Sequence, residues 1–322
     1  MSATGGPRAD RDALPRVDRD ALHRDLDAAL GEGVAERLAD GTARVRARTH
    51  ADVVAALRVA SAHGARVHAP GAARAEGACH LRLDLSRLDA VSVDTTSRVV
   101  RAEGGATLAR VESALGGKAL TLGLDARVDR GLSVCGWVGL GLPGARDRED
   151  DPVDQAVCGL DVVLADGSPL SIRPAPRRAV GPDLIAAIVG ARGRLGVVTA
   201  AHLVVRPASA AAPEATVTRA FRFASRAAAE AARAWMRGRG VRPCATRLVD
   251  GPEGSAFLVV RVGGASRVRD ASLGVAHRVA AEHGGSVVRA FEVPDAPLDP
   301  VSPPSRVVLA LADALDPAGL LG

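Results

Sequence analysis

The sequence predicts an α+β protein: two α+β subdomains followed by a smaller ferredoxin-like domain. Three observations predict it. A strand–helix–strand pattern occupies residues 44–85. A second unit of strands, helices and an Asp-Gly hairpin runs over residues 99–205. Beyond the Pro/Ala-rich segment Pro207–Pro213, the elements read β-α-β-β-α-β, which is the ferredoxin-like order.

Residues 1–40 read as a polar arm ending in a helix, because Leu22, Leu26, Leu30, Val34 and Leu38 recur every four residues. Asp18 or Asp20 is placed to cap it. Arg44–Arg48 alternates in the manner of an exposed edge strand. Thr49 and Asp52 form a capping box, Val53, Ala56, Leu57 and Ala60 give the following helix its apolar face, and Gly64 closes it. Arg66–His68 is a short strand running into Pro70-Gly71-Ala72-Ala73-Arg74-Ala75, and His80–Leu85 alternates again.

The second unit opens with a strand at Val99–Ala102, a Gly104-Gly105 turn and a helix capped by Thr107 that carries Leu108, Val111 and Leu115. Leu132–Gly144, LSVCGWVGLGLPG, reads as a small-residue strand and loop. Leu160–Leu164, an Asp166-Gly167 turn and Leu170–Ile172 form a hairpin. Pro182 suits the first turn of a helix that turns Leu184, Ile185, Ile188 and Val189 inward. Gly193 and Gly196 bracket a turn into a strand over Val197–Val205.

In the last unit, Thr216–Phe223, Thr246–Val249, Ala256–Val262 and Ser286–Val293 read as strands. Ser225 caps a helix through Met236, and Ser266 opens another to about His283. A Pro-rich tail then ends in a short helix, Arg306–Leu315.

Bulk properties exclude several classes. The chain has 322 residues, 47% hydrophobic and 25% charged, enough for a substantial core in more than one domain. Its net charge of +5 does not mark a nucleic-acid binder. Arginines are scattered among 37 acidic residues, Lys118 is the only lysine, and there is no tyrosine to stack bases. No apolar run is long enough to span a bilayer, and the polar first twenty residues lack a signal-peptide core, so a cytoplasmic location is expected. Cys79, Cys135, Cys158 and Cys244 show no CxxC spacing and read as buried thiols, with no metal site.

Gly139-Leu140-Gly141-Leu142-Pro143-Gly144 matches GxGxxG, but a dinucleotide fingerprint needs a helix to begin inside it. Pro143 and a charged segment follow instead, which excludes a Rossmann reading. No Walker loop, HExxH or GxSxG occurs. His68 and His80 flank the first glycine loop, either lining a pocket or satisfied within the fold. Asp150, Asp151 and Asp154 read as a solvated acidic loop.

The stretch from Arg44 to Pro207 resembles the FAD-binding domain of the vanillyl-alcohol oxidase/p-cresol methylhydroxylase family, in its alkyl-dihydroxyacetonephosphate synthase and D-lactate dehydrogenase/glycolate oxidase branch. THADVVAALRVASAHG is similar to the family's first helix, LSVCGWVGLGLPG to its flavin-facing Gly-Gly-Trp segment, and GLDVVLADG to the strand and turn after it. GPDLIAAIVGARGRLGVVTAAHLVVRP is the most specific match, and FRFASRAAAEAARAWMRGRGVRPCATRLVDG resembles the start of the family's cap. The resemblance implies a two-subdomain FAD-binding domain over residues 41–209, after an N-terminal arm and helix over 1–40. A shortened ferredoxin-like cap follows over 214–295, then a linker and helix over 296–322. It implies cofactor contacts at Pro70, Gly71, Ala72, Ala73, Arg74, Ala75, Leu132, Ser133, Val134, Cys135, Gly136, Gly139, Leu140, Gly193, Arg194, Leu195, Gly196, Val197 and Val198. A long diphosphate needs backbone donors without Cβ atoms in the way, and a flavin ring needs a dry groove.

Departures are local. The family's first loop has three small residues, mostly glycine, then Thr or Ser; here Ala72 and Ala73 precede Arg74, which either pairs with phosphate or blocks the groove. Cys135 stands where the second loop has Gly, and Arg192 replaces an acidic or small residue. No His or Cys aligns with the family's covalent-flavin positions, so FAD is expected to be non-covalent. No catalytic residue carries over. The resemblance implies an FAD-linked oxidoreductase that moves hydride from a 2-hydroxy acid or alcohol to flavin, with a partner subunit completing the cap. The alternative is a degenerate relative that lacks flavin and acts as a binding or accessory subunit.

Overall fold

The computed structural model describes residues 16–71, 79–124, 127–144, 156–175, 183–208, 216–241, 243, 245–289, 293 and 305–321. The Ala72–Ala75 part of the first loop, Cys244, the acidic residues Asp150, Asp151 and Asp154, and most of the Pro/Ala-rich linker lie outside these.

The first subdomain begins with α1 (Arg19–Leu30), capped by the Asp18 carboxylate, which accepts from the amides of Asp20 and Ala21. The helix stops at Gly31 (φ 81°), so Val34 and Leu38 do not extend its stripe. Instead the chain turns into β1 (Ala35–Arg37), which pairs antiparallel with β2 (Ala43–Arg46). β2 is therefore not an edge strand. Its alternating arginines lie beside β1, where Arg46 meets Glu36 at 2.8 Å. Thr49 and Asp52 cap α2 (His50–Ala62) reciprocally, as the sequence predicts. β3 (Val67–His68) and β4 (Leu81–Asp84) complete a sheet ordered β1-β2-β4-β3, with β2, β4 and β3 parallel.

The second subdomain is a five-stranded antiparallel sheet. Its strands are β5 (Val91–Asp94), β6 (Val99–Glu103), β8 (Val157–Val163), β9 (Pro169–Ile172) and β10 (Val197–Val204), in the order β5-β6-β10-β8-β9. Three helices belong to it: α3 (Leu108–Gly116), α4 (Val134–Gly139) and α5 (Leu184–Ile188). A two-residue strand β7 (Leu120–Thr121) pairs with β11 (Arg206–Pro207), where the chain leaves this half.

One continuous apolar core runs through both subdomains, from Leu26, Val45 and Leu57 to Val100, Trp137, Leu160 and Leu203. A polar link also joins them. The pairing of β10 with β8 slips between Val198 and Ala200, leaving Thr199 as a bulge residue. Its hydroxyl donates to Asp161 O at 3.1 Å and meets His50 Nδ1 of α2 at 2.8 Å. Because the single hydroxyl proton goes to Asp161, the imidazole must be the donor in the second bond.

The third unit is β12 (Thr216–Phe223), α6 (Arg226–Gly238), β13 (Ala245–Asp250), β14 (Ala256–Gly263), α7 (Ser266–Glu282) and β15 (Ser286–Val288). Its antiparallel sheet is ordered β13-β14-β12-β15, the ferredoxin-like arrangement. Phe221, Phe223, Leu258 and Val260 form its core with Ala232, Met236 and Val279 of the two helices. Finally α8 (Arg306–Leu315) returns to the first half, placing Ala312 in the large core. The buried Asp316 carboxylate accepts from Leu320 N and Leu321 N at 2.9 and 2.8 Å, and Leu320 O accepts from Val67 N of β3 at 2.8 Å.

Candidate functional site

Leu132–Gly144 folds as a buried six-residue helix and a loop, not as a strand. All six residues of α4 are buried, so it has no solvent face and no amphipathic period. It is held at both ends instead. At its start, Ser133 Oγ accepts from Gly136 N at 3.1 Å, while Val134 N and Cys135 N donate to Ala106 O and Gly104 O, both at 2.8 Å. At its end, Gly190 N and Arg192 N donate to Val138 O and Gly139 O, both at 3.0 Å. Trp137, fully buried, donates its indole N–H to Pro143 O at 2.9 Å and folds the loop back on the helix.

The first glycine loop lies on the helix flank. A Cβ on Gly71 (φ 82°) would stand 3.1 Å from Gly136 Cα, and one on Gly139 would stand 3.3 Å from Gly71 O. Only glycine lets these backbones approach so closely at that φ. Cys135 Sγ donates to Pro70 O at 3.3 Å and fixes the loop further. Burial pushes the Cys135 thiol up to about 12, against a weaker opposite effect from the Val198 backbone. It is therefore a packed thiol, with no thiolate at neutral pH.

Pro70, Gly71, Leu132, Ser133, Leu140, Gly193 and Arg194 are half-buried around α4, and Val134, Cys135, Gly136 and Gly139 are buried within it. Leu195, Gly196, Val197 and Val198 are buried at the entry to β10. A Cβ on Gly196 would lie 2.7 Å from Val163 O, so packing of β10 on β8 already requires that glycine. Gly104 and Ala106 escape the motif reading, and Gly190 lies in the quoted motif without being a predicted contact, yet all three hold α4 in place. The Gly104-Gly105 pair is the one signal in the sequence for the first two. His80 is buried and accepts from Arg66 N through Nδ1 at 3.0 Å, so its ring is part of the fold. Among the described residues, no three His, Cys, Asp or Glu side chains converge as a metal site.

α4 ends at Gly139, where the GxGxxG pattern begins, so the helix precedes the glycines. That is the reverse of a Rossmann turn. Residues 42–173 match the family described as FAD binding domain. That stretch is similar to the FAD-binding domains of the vanillyl-alcohol oxidase family. Alditol oxidase of Streptomyces sp. (strain IKD472 / FERM P-14339) is 37% identical over 128 residues, covering 38% of this chain and 29% of the relative. An uncharacterized FAD-linked oxidoreductase of Escherichia coli (strain K12) is 31% identical over 109 residues, covering 34% and 22%. The matched region thus spans less than a third of these curated relatives. In three dimensions the chain is similar to 4-ethylphenol oxidase from Gulosibacter chungangensis (TM-score 0.62, 16% identity, 96% of this chain and 72% of that one). It is also similar to alkyldihydroxyacetonephosphate synthase (TM-score 0.61, 16% identity, 86% and 62%). These two likenesses show the fold.

FAD is the cofactor that the domain match implies, and the site's own chemistry fits it. Where Gly71 meets Gly136 and Gly139, backbone approaches backbone with no side chain between. Ser133 Oγ accepts from Gly136 N and keeps its own proton to donate. Arg194 Nε is buried without an acceptor among the described residues, as a site for an anionic group would leave it.

Proposed function

We propose that this protein is an FAD-linked oxidoreductase acting on a 2-hydroxy acid or alcohol, with FAD held non-covalently. The observation that carries this reading is the joining of both glycine-rich stretches and Pro70-Gly71 around one buried helix, inside a domain of the FAD-binding family. When bound, the flavin supplies the hydride acceptor for a CH–OH donor. The chain's own residues do the rest. Pro70-Gly71 and Ser133 offer backbone and hydroxyl contacts, while Trp137 and Leu142, both buried, close the groove floor against water. The Cys135 thiol is buried, protonated and bonded to Pro70 O, which supports non-covalent attachment, and a cytoplasmic location belongs to the same reading. A partner subunit that completes the substrate side of the cap belongs to the same reading.

The purified protein is expected to be yellow, and acid precipitation should leave its flavin in the supernatant. Added FAD should raise the melting temperature of flavin-free protein, by about 2.7 kcal/mol of stabilisation at a hundredfold excess over Kd. Colourless protein whose melting is indifferent to FAD would instead be the accessory relative.

A further inference from the structure

Arg194 lies in the turn between α5 and β10, two residues past the bond from Arg192 N to Gly139 O. That spacing keeps its Cα within about 7 Å of the Arg192 Cα. Its Nε is buried and has no hydrogen-bond partner, and its guanidinium forms no ion pair with the protein among the described residues. Other described side chains with an unbonded buried nitrogen keep a different partner: His23 holds Asp27, Arg82 holds Asp40, and Arg269 lies beside Asp270. A buried donor without an acceptor is costly, the more so on a charged group. Meanwhile the amides that begin α4, those of Val134, Cys135 and Gly136, are all occupied by Ala106 O, Gly104 O and Ser133 Oγ. The helix start that would otherwise meet a phosphate has no N–H left to offer.

We propose that Arg194 binds the diphosphate of FAD through its guanidinium, in place of the α4 amides. The inference rests on the FAD reading and says which charge answers the cofactor's two negative charges. A planar guanidinium can donate two parallel bonds to phosphate oxygens, and these charge-assisted bonds are the strong ones. The same chemistry would suit an anionic group on the substrate, so the test separates the two sources.

The experiment titrates flavin-free wild type, Arg194→Met and Arg194→Lys with FAD, ADP and riboflavin by calorimetry, and records the melting of each flavin-free protein. Arg194→Met should weaken FAD and ADP by about tenfold to a hundredfold, with Arg194→Lys in between. Riboflavin, which has no phosphate, should bind both variants as it binds wild type. The salt dependence of FAD affinity should shrink in Arg194→Met. Flavin-free Arg194→Met should melt no lower than wild type, because the side chain has no polar partner to lose among the described residues. Unchanged FAD and ADP affinity in Arg194→Met overturns the proposal and leaves the substrate as the anion. Equal losses for riboflavin, or a lower melting temperature of the flavin-free variant, overturn it in favour of a structural role. Wild type that binds neither FAD nor ADP overturns the FAD reading together with this one.

Discussion

The two halves of this chain solve packing with different side chains. The three phenylalanines among the described residues, Phe221, Phe223 and Phe257, lie in the ferredoxin-like half, and Phe221 and Phe223 are fully buried there between sheet and helices. The FAD-binding half has one aromatic residue, Trp137. Its core is otherwise mostly Val, Leu and Ala, and around α4 backbone rests directly on backbone. Side-chain interdigitation gives a stable domain, but it fills the space that a long cofactor would need. Close backbone approach leaves no side chain between the first glycine loop and α4. The cost is intolerance, since a single added methyl has nowhere to go.

This contrast can be broken by experiment. Trp137→Ala and Phe221→Ala should each cost about 3–5 kcal/mol in urea unfolding, since both side chains are fully buried. Only Trp137→Ala should also abolish flavin binding under conditions where the variant stays folded. Equal loss of flavin in Phe221→Ala would end the division of labour. Next in size, Gly71→Ala sets a methyl 3.1 Å from Gly136 Cα at a positive φ. It should cost about 1–3 kcal/mol and weaken FAD beyond that loss of stability. A variant as stable as wild type would mean that the loop can move off α4.

The smallest effect sharpens the picture of the sheet surface. His202 lies beside Arg101 and Asp161, and its pKa is lowered chiefly by burial, against the pull of Asp161 and with help from Arg101. A histidine with a lowered folded pKa binds fewer protons folded than unfolded. Stability therefore rises with pH from the depressed value up to the unfolded value of 6.5 and is lost on acidification through that window. His202→Gln should remove this part of the pH dependence in urea unfolding below pH 6.5, and superimposable curves would show that the ring is solvated.

Much of the fold is legible in the sequence because many elements carry their own signal. Thr49 with Asp52, the Asp166-Gly167 hairpin and the β-α-β-β-α-β order all stand as read. Failures arise where the signal is tertiary. The stripe from Leu22 to Leu38 continues past α1, yet Gly31 and Gly33 end the helix with positive φ. β2 looks like an edge strand because its arginines are paired by Glu36 from β1, a contact invisible in RVRAR itself. α4 is buried on every side, so no periodicity can announce it, and its ends are held by carbonyls and amides from residues 104–106 and 190–192. The site is legible as composition, in its glycines and small residues. Which donors those glycines leave available depends on partners far away in sequence.

The bond from Val67 N to Leu320 O ties together residues 253 apart (320 − 67). β3 leads directly into Pro70-Gly71, so the strand before the first glycine loop receives its last backbone partner from residue 320. During synthesis the first subdomain emerges long before that partner exists. At about 5–20 residues per second, those 253 residues take roughly 13–50 s to add. The ferredoxin-like domain has all of its strands before then and can fold as a unit on the ribosome. Completion of β3 waits for residue 320 to emerge, and a nascent chain stalled before it would display β3 with its Val67 amide still exposed.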